Sequence, residues 1–186
     1  MNLANKLTLA RIFLVPVFMF VLLIRIPYGE YIAAFIFVLA ASTDGLDGYI
    51  ARTRKQVTKL GKFMDPLADK LLVSAALISL VELDKIPAWI SILIISREFV
   101  VSGLRSIAAS EGIVIAASKM GKVKTVSQIV AIVAILLEEA IMALFHRIGI
   151  QLGTGIGIPL LYVALFFTIV SGINYFINGR KLLRVK

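Results

Sequence analysis

The stretch "STDGLDGYIARTRKQVTKLGKFMDPLADK", residues 42–70, places four aspartates between two long apolar runs. Asp44 and Asp47 lie near the end of the first run, and Asp65 and Asp69 lie near the start of the second. Residues three or four apart lie on one face of an α-helix, so each pair shares a face. Because the segment between the pairs is short, we expect two antiparallel neighbouring helices whose acidic faces meet.

The composition sets the class of protein in which these aspartates occur. The chain has 186 residues, of which 60% are hydrophobic, and its mean hydropathy is +0.97. These values indicate an integral membrane protein rather than a soluble domain. A membrane-spanning helix needs about 20 residues, so the chain has room for about six or seven spans at most. We therefore interpret residues 1–186 as a single membrane domain.

The net charge and the absence of cysteine narrow the possible partners. A formal charge of +9 at pH 7 is compatible with nucleic acid, an anionic membrane surface or an anionic substrate. In a membrane chain nucleic acid is the least expected of these, and we predict no such partner. The chain has no cysteine, which excludes disulfides, thiolate nucleophiles and thiolate metal sites.

Six apolar segments indicate the membrane spans: residues 9–24, 31–50, 63–81, 87–109, 125–145 and 158–177. Backbone polar groups in lipid must be hydrogen-bonded within the protein, so each segment is predicted to be a helix. We therefore predict an all-α integral membrane protein with six transmembrane helices. No small-residue cleavage pattern follows the first segment, which is expected to be an uncleaved span rather than a signal peptide.

The basic residues are distributed unequally over the two sides that this arrangement defines. One side carries fifteen lysines and arginines: Lys6, Arg11, Arg52, Arg54, Lys55, Lys59, Lys62, Arg105, Lys119, Lys122, Lys124, Arg180, Lys181, Arg184 and Lys186. The opposite side carries three, Arg25, Lys85 and Arg147. Cytoplasmic loops are enriched in lysine and arginine, so both termini and the loop between the aspartate pairs are predicted to be cytoplasmic. An active-site cavity between the acidic faces would open to the same side.

The four aspartates would be unstable at this depth without counter-charges. A single charge costs up to about 2.5–3.5 kcal/mol at the centre of a span, and repulsion between like charges adds to that. Carboxylate oxygens without nearby histidine or cysteine suit Mg²⁺ or Mn²⁺ better than zinc. Two such ions would balance four negative charges and would suit transfer of a phosphoryl or nucleotidyl group. We predict four metal ligands: Asp44, Asp47, Asp65 and Asp69.

Two other interpretations of the aspartates remain. They could pair with surrounding lysines and arginines at a helix interface, or they could line an ion or proton pathway. Neither alternative accounts for the small residues in register with the aspartates, Gly48, Ala51 and Gly61. Glycine costs about 0.5–1 kcal/mol within a helix and is useful where a bulky group approaches the backbone. These residues would form a smooth wall for a nucleotide, and Arg52 would pair with phosphate oxygens or screen the acidic cluster.

The aspartates and the small residues together resemble the signature of a known family. The pattern Asp44-x2-Asp47-Gly48-x2-Ala51-Arg52-x8-Gly61-x3-Asp65-x3-Asp69 fixes eight positions over 26 residues and resembles the CDP-alcohol phosphotransferases without departure. The resemblance implies six transmembrane helices, a homodimer and a divalent-metal site open to the cytoplasm. It also implies the reaction, in which a hydroxyl attacks the β-phosphorus of a CDP-linked lipid and CMP leaves. The family assigns the general base to the last aspartate, here Asp69, which can also bind a metal.

Other stretches resemble the bacterial members of this family whose acceptor is sn-glycerol 3-phosphate. They are "NKLTLARI" from Asn5, "SREFVVSGLR" from Ser96 and "GKVKTVSQ" from Gly121, with Ala4 where those members commonly have proline. The resemblance implies CDP-diacylglycerol as the donor, phosphatidylglycerophosphate and CMP as products, and phospholipid synthesis at the bacterial plasma membrane. The alternatives are a different acceptor (inositol phosphate, serine or a lipid) and, from another class, a cation or proton transporter.

An acceptor that carries a phosphate needs cations, and the sequence supplies them away from the aspartates. Arg97 lies within the fourth span, where an unpaired arginine would be costly, and Arg105 follows eight residues later on nearly the same face. Further candidates begin the fifth helix, where amide groups and the helix dipole also favour an anion: Lys122, Lys124 and Thr125. For Arg97 the alternative is a structural salt bridge, although Glu98 points about 100° away on the helix and should pair poorly with it. For the lysines, including Lys119, the alternative is a rim that attracts anionic lipid headgroups.

Three polar residues at the start of or within the spans have two possible roles each. Thr8 and Arg11, at the start of the first span, would contact a phosphate of the donor or would serve as a helix cap and an interface anchor. Gln128, one turn beyond Lys124, would bond a glycerol hydroxyl or a neighbouring helix. His146, the only histidine, falls on the opposite side of the membrane and is given no role.

Overall fold

The regular secondary structure of the described part of the chain is α-helical, with turns and short connections between the helices. In the computed structural model the described residues are 3–53, 59–110, 112, 119–150 and 155–183, with side chains at all of these except 3–4, 44–53, 59–63, 65–66, 119 and 178–183. They form seven α-helices: α1 (Leu3–Leu23), α2 (Gly29–Thr53), α3 (Lys59–Glu82), α4 (Ala88–Ser110), α5 (Lys119–Leu136), α6 (Glu138–Arg147) and α7 (Gly157–Leu183). The prediction of an all-α protein is confirmed for this part of the chain.

Five of the six predicted segments correspond to single helices, and the fifth does not. Residues 125–145 are predicted as one helix, but the chain forms α5 and α6 with a bend of 72° between them, at Leu137. Glu138 and Glu139 follow directly and form the first turn of α6. Two successive carboxylates are costly in an apolar span, whereas a helix N-terminus stabilises them through its dipole. The prediction of a single straight helix here was wrong for this reason.

The helices present large apolar side chains on their outer surface. Four phenylalanines (Phe13, Phe20, Phe35 and Phe166) are 61–71% exposed. Exposed aromatic residues in this number would cause aggregation in water, and contact with lipid explains them. Two helical windows are long and apolar enough to cross a membrane, Asn5–Leu23 and Gly157–Ile177, and α5 with α6 would be a third, counting described residues only. The protein is thus a membrane protein, and the number of six spans stays a prediction.

Two groups of helices build the core. α1 packs against α2 and α3, α7 packs against α5 and α4, and contacts of α3 with α4 and of α2 with α5 join the groups. The rings of Phe18 and Phe37 lie 5.8 Å apart at the α1–α2 contact, and Leu80, Ile132 and Leu161 are fully buried. This packing brings the third turn of α3 and the first two turns of α5 close to the middle and later turns of α4 and the later turns of α7.

The contact between α5 and α7 fixes two of the helices that carry candidate site residues. At the start of α7, a Cβ on Gly157 would lie 2.5 Å from Ile135 Cγ1 and 3.0 Å from its Cα, so only glycine permits this approach. Farther along, the buried Gln128 donates from Nε2 to Thr168 Oγ1 at 3.0 Å, and Thr168 donates to the Ala164 carbonyl at 2.6 Å. Of the two roles open to Gln128, the structure therefore supports the bond to a neighbouring helix.

Candidate active site

A cavity of about 150 Å³ lies where α3, α4, α5 and α7 come together. Its walls are the early turns of α3 and α5 and the later turns of α4 and α7. A water molecule in the liquid occupies about 30 Å³, so this volume holds a small polar solute rather than a nucleotide-linked lipid. The cavity is therefore a candidate binding site for a small substrate.

Six residues predicted from the sequence line this cavity, although they come from three different helices. They are Asp69 from α3, Arg97 and Arg105 from α4, and Lys122, Lys124 and Thr125 from α5. The structure thus brings the predicted general base together with all five residues predicted to bind the phosphate of the acceptor. Their roles in binding and catalysis stay predictions.

Arg97 is held by partners on its own helix and on α7. Its Nη1 donates to Glu98 Oε1 at 3.3 Å, and its Nη2 donates to the buried Ser171 Oγ at 2.7 Å. The guanidinium carbon lies 5.7 Å from the centre of the Tyr175 ring, within the range of a cation–π contact. The expectation of poor pairing with Glu98 was wrong, because both side chains are long enough to converge on the cavity despite their angular separation.

The Nε of Arg97 is buried and lacks a hydrogen-bond partner among the described residues. It lies beside Gly172, where a Cβ would come within 3.5 Å of Nε and within 3.2 Å of the Arg97 Cγ. The absence of a side chain at this position lets the aliphatic part of Arg97 pack against the backbone of α7. Helix α7 therefore helps to set the position of a side chain from α4.

The cavity carries an excess of positive charge. Among the side chains that the structure describes, its lining includes five cations, Lys70, Arg97, Arg105, Lys122 and Lys124, and two carboxylates, Asp69 and Glu98. Lys124 is buried and forms an ion pair with Glu98, which also binds Arg97. Lys70 interacts electrostatically with both carboxylates as well as with Lys124 and Arg105. This distribution favours an anionic ligand, because the two carboxylates neutralise fewer than half of the cations.

Several residues of the cavity were not identified from the sequence. Lys70 follows Asp69 in an apolar helix, and an ionisable residue within a span is itself a signal of function that would have identified it. Glu98 was considered only as a partner of Arg97 and not of Lys124. No pattern in the sequence distinguishes Ser171 or Tyr175 from the other polar residues of α7. Their involvement depends on how α7 packs against α4.

The four aspartates lie on two helices that contact each other. Asp44 and Asp47 belong to α2, whereas Asp65 and Asp69 belong to α3. Helical backbone at both places gives each pair a common face, as predicted. The side chains of Asp44, Asp47 and Asp65 lie outside the described ones, and among those described no three His, Asp or Glu residues are grouped as a metal site. The chemistry of the donor set fits Mg²⁺ or Mn²⁺, since carboxylate oxygens are the ligands that these ions prefer.

The start of α1 is attached to the acidic end of α2. Arg11 is 1% exposed, and its Nε donates to the Ala40 carbonyl at 3.1 Å and to Thr43 Oγ1 at 3.3 Å. Thr43 directly precedes the first aspartate, so Arg11 acts as an anchor between the helices. Thr8 is also buried, and its contact with a donor phosphate stays a prediction. The other predicted donor contacts lie outside the described side chains: Gly48, Ala51, Arg52 and Gly61.

A larger cavity, of about 410 Å³, lies at the opposite end of the molecule. It is formed by the α1–α2 and α3–α4 connections and by the α5–α6 bend, and an ion pair between Lys85 and Glu30 at 2.5 Å crosses its wall. Of the residues predicted for binding or catalysis whose side chains are described, none lines it. The smaller cationic cavity is therefore the candidate active site.

The chain belongs to the CDP-alcohol phosphatidyltransferase family, whose family model matches residues 1–170. This match confirms the resemblance that the aspartate signature indicates. It covers all the helices that carry aspartates and all the predicted cations of the cavity.

Curated bacterial relatives match the chain over nearly its whole length. It is 46% identical to a Bacillus subtilis (strain 168) protein named "CDP-diacylglycerol--glycerol-3-phosphate 3-phosphatidyltransferase", over 98% of this chain and 97% of the relative. Proteins of the same name from Rickettsia felis and Shigella flexneri serotype 5b are 38% and 35% identical. These two alignments cover 97% and 96% of this chain, and 96% and 95% of the respective relatives.

Proposed function

We propose that this protein transfers the phosphatidyl group of CDP-diacylglycerol to sn-glycerol 3-phosphate, producing phosphatidylglycerophosphate and CMP. The observation that carries the proposal is the cationic cavity, which has Asp69 in its wall and a volume suited to a small phosphorylated alcohol. The names of relatives that align over the whole chain support the same substrates.

The acceptor phosphate would be bound by the cations of α4 and α5. Arg97 can present a fork of N–H donors to two phosphate oxygens, whereas Lys124 and Lys122 act as point charges. Arg105 and the hydroxyl of Thr125 complete the set on the same walls. Binding of the phosphate by these groups would orient the free hydroxyl of the acceptor toward Asp69, on α3.

Asp69 would act as the general base. Its carboxylate would accept the proton of the acceptor hydroxyl, for which a distance of about 3 Å between the oxygens is required. The freed oxygen then forms a bond to the β-phosphorus of the donor as the bond from that phosphorus to the oxygen of CMP breaks. CMP leaves with the electron pair of the broken bond, and the proton remains on Asp69 until it passes to solvent.

The donor would lie along the acidic faces of α2 and α3. Gly48, Ala51 and Gly61 would allow the cytidine nucleotide to approach the helices, while Thr8 and Arg52 would contact its phosphates. The four aspartates would hold one or two Mg²⁺ or Mn²⁺ ions. When bound, these ions would supply positive charge against the pyrophosphate and the departing CMP. The side chains of the protein would bind both substrates and hold them in position for the reaction.

The setting of the reaction would be the bacterial plasma membrane. The six apolar segments support six transmembrane helices, and the excess of basic residues on one side supports cytoplasmic termini and a cavity that opens to the cytoplasm. The resemblance to the family implies a homodimer. Membrane phospholipids would surround the exposed apolar side chains, and the product would remain in the same bilayer as the donor.

A panel of acceptors tests the proposal. The purified protein is reconstituted with CDP-diacylglycerol and Mg²⁺, and CMP release is measured with sn-glycerol 3-phosphate, inositol phosphate, serine and phosphatidylglycerol. We expect sn-glycerol 3-phosphate to give the largest kcat/KM, with phosphatidylglycerophosphate as the lipid product. A preference for inositol phosphate or for an acceptor without a phosphate would assign a different reaction of the same family. Absence of CMP release with every acceptor, together with ion flux into liposomes, would indicate a transporter.

A further inference from the structure

Glu98 lies between the two cations that are best placed to bind an acceptor phosphate. Its Oε1 accepts from Arg97 Nη1 at 3.3 Å and also accepts from Lys124 Nζ. The exposed fraction of the side chain is 13% for Arg97, 13% for Glu98 and 7% for Lys124, so all three charges are largely removed from water. One carboxylate oxygen is therefore shared by an arginine of α4 and a lysine of α5.

Without Glu98, the two cations would repel each other in a region of low dielectric constant. A buried charge that loses its partner is strongly destabilised, and a flexible side chain such as lysine then turns toward water or loses its proton. The cavity must keep both cations in place whenever no substrate is bound. Glu98 serves this purpose, because it is joined to Arg97 by sequence and to Lys124 by the ion pair.

Arg97 has a second support besides Glu98, whereas the structure describes one ion pair for Lys124, the one with Glu98. The Nη2 of Arg97 donates to Ser171, whose own hydroxyl donates to the Thr168 carbonyl at 3.1 Å. Ser171 thus has its proton committed within α7 and offers a lone pair to Arg97. For Lys124, by contrast, the ion pair with Glu98 is the interaction that directs its ammonium group toward Arg97.

We propose that Glu98 is a positioning residue that holds Arg97 and Lys124 side by side as a receptor for the phosphate of the acceptor. This inference rests on the proposed function, since it assumes that the cavity binds the acceptor. Glu98 does not exchange a proton with the substrate. It determines the spacing of two cations and thereby favours acceptors that carry a phosphate over acceptors with a hydroxyl alone.

Steady-state kinetics of Glu98→Gln tests the proposal. The substitution keeps the shape of the side chain and removes the charge that pairs with Lys124. We expect KM for sn-glycerol 3-phosphate to rise about tenfold, as for loss of one hydrogen bond to a charged group, whereas kcat and KM for CDP-diacylglycerol change little. The control is Glu139→Gln, the same substitution at an exposed carboxylate beside the larger cavity, which should leave all three constants unchanged.

A double variant shows whether Glu98 acts through Lys124. If it does, Glu98→Gln should add little to the rise in acceptor KM that Lys124→Met already produces. Additive effects would overturn the proposal. A lower acceptor KM in Glu98→Gln would also overturn it, because it would mean that the carboxylate competes with the phosphate. A similar impairment of kcat and of both KM values, together with a lower Tm, would mean a purely structural role and would overturn it as well.

Glu98→Asp provides a test that keeps the charge, in case the glutamine variant does not fold. It retracts the carboxylate by one methylene, so acceptor KM should rise with little change in Tm, and a KM equal to that of the unmodified protein would overturn the proposal. Failure of the proposed function is recognised separately. In that case the unmodified protein would not release CMP with sn-glycerol 3-phosphate, whereas failure of the role of Glu98 leaves that activity intact.

Discussion

Gly172→Ala is expected to impair use of the acceptor even though it changes no residue that lines the cavity. The new Cβ would lie 3.2 Å from Arg97 Cγ and 3.5 Å from its Nε. A contact of 3.2 Å is shorter than an ordinary van der Waals contact between carbon atoms, so the aliphatic part of Arg97 must move by a few tenths of an ångström. The guanidinium at its end would move with it, away from Ser171 Oγ, which it now binds at 2.7 Å.

The size of the effect follows from that hydrogen bond. Hydrogen bonds to charged groups contribute about 1.5–3 kcal/mol, and a displacement of this size weakens such a bond without breaking it. A loss of about 1 kcal/mol in the transition state corresponds to a fall of about fivefold in kcat/KM for sn-glycerol 3-phosphate. Alanine also gains about 0.8–1 kcal/mol of helix propensity over glycine in water, so the folded protein should not be destabilised.

The assay is CMP release at varied acceptor concentration, with Tm measured on the same preparations. Gly103→Ala is a matched control, because it lies on α4 with Arg97 and a Cβ there would meet no atom within 4 Å. It should gain the same helix propensity and keep the unmodified acceptor kinetics. If Gly172→Ala and Gly103→Ala have the same kcat/KM for sn-glycerol 3-phosphate, the conclusion that α7 positions Arg97 is refuted. A fall in Tm in Gly172→Ala alone would instead show that the contact is one of general packing.

Three further predictions concern the base, the metal and the α5–α7 contact. Asp69→Asn should reduce kcat by at least about 100-fold, as for removal of a general base, while binding of CDP-diacylglycerol measured by titration persists; substantial turnover would exclude Asp69 as the base. EDTA should abolish CMP release, and Mg²⁺ or Mn²⁺ should restore it but Ca²⁺ should not, whereas activity that survives complete chelation would contradict the ligand assignment. Gln128→Leu should lower stability by about 0.6 kcal/mol, seen as a lower Tm, with acceptor KM unchanged; a raised acceptor KM would return Gln128 to the binding site.

The helices were predictable because the lengths of the apolar runs match the lengths that a bilayer requires. The exception, the α5–α6 bend, shows the limit of that reasoning. Residues 125–145 are apolar on average, and the average conceals the adjacent Glu138 and Glu139 at which the helix ends and a new one begins. The direction that the chain takes after such a break depends on contacts such as the one between Gly157 and Ile135, which involve residues distant in sequence.

Arg97 and Arg105 were predictable as site residues because a charged residue in an apolar segment is costly and therefore indicates a partner or a ligand, although the same reasoning was not applied to Lys70. Which partner it has was not predictable. Arg97 binds Ser171, and Lys124 binds Glu98, over separations of 74 and 26 positions in the chain. The packing of α4 against α5 and α7 decides these pairs, and no local pattern encodes that packing.

The charge balance of the cavity bears on the kind of acceptor that it can bind. In the described part of its lining five cations face two carboxylates, and one of those carboxylates, Glu98, is engaged by Arg97 and Lys124. A dianionic phosphate would offset most of the remaining positive charge, so its desolvation is compensated by several charged hydrogen bonds. Serine, which carries no net charge at neutral pH, would leave that charge uncompensated in a partly buried site. By the same argument a neutral lipid hydroxyl should bind less well than glycerol phosphate or inositol phosphate. A direct competition between glycerol phosphate and inositol phosphate is therefore the measurement that identifies the acceptor.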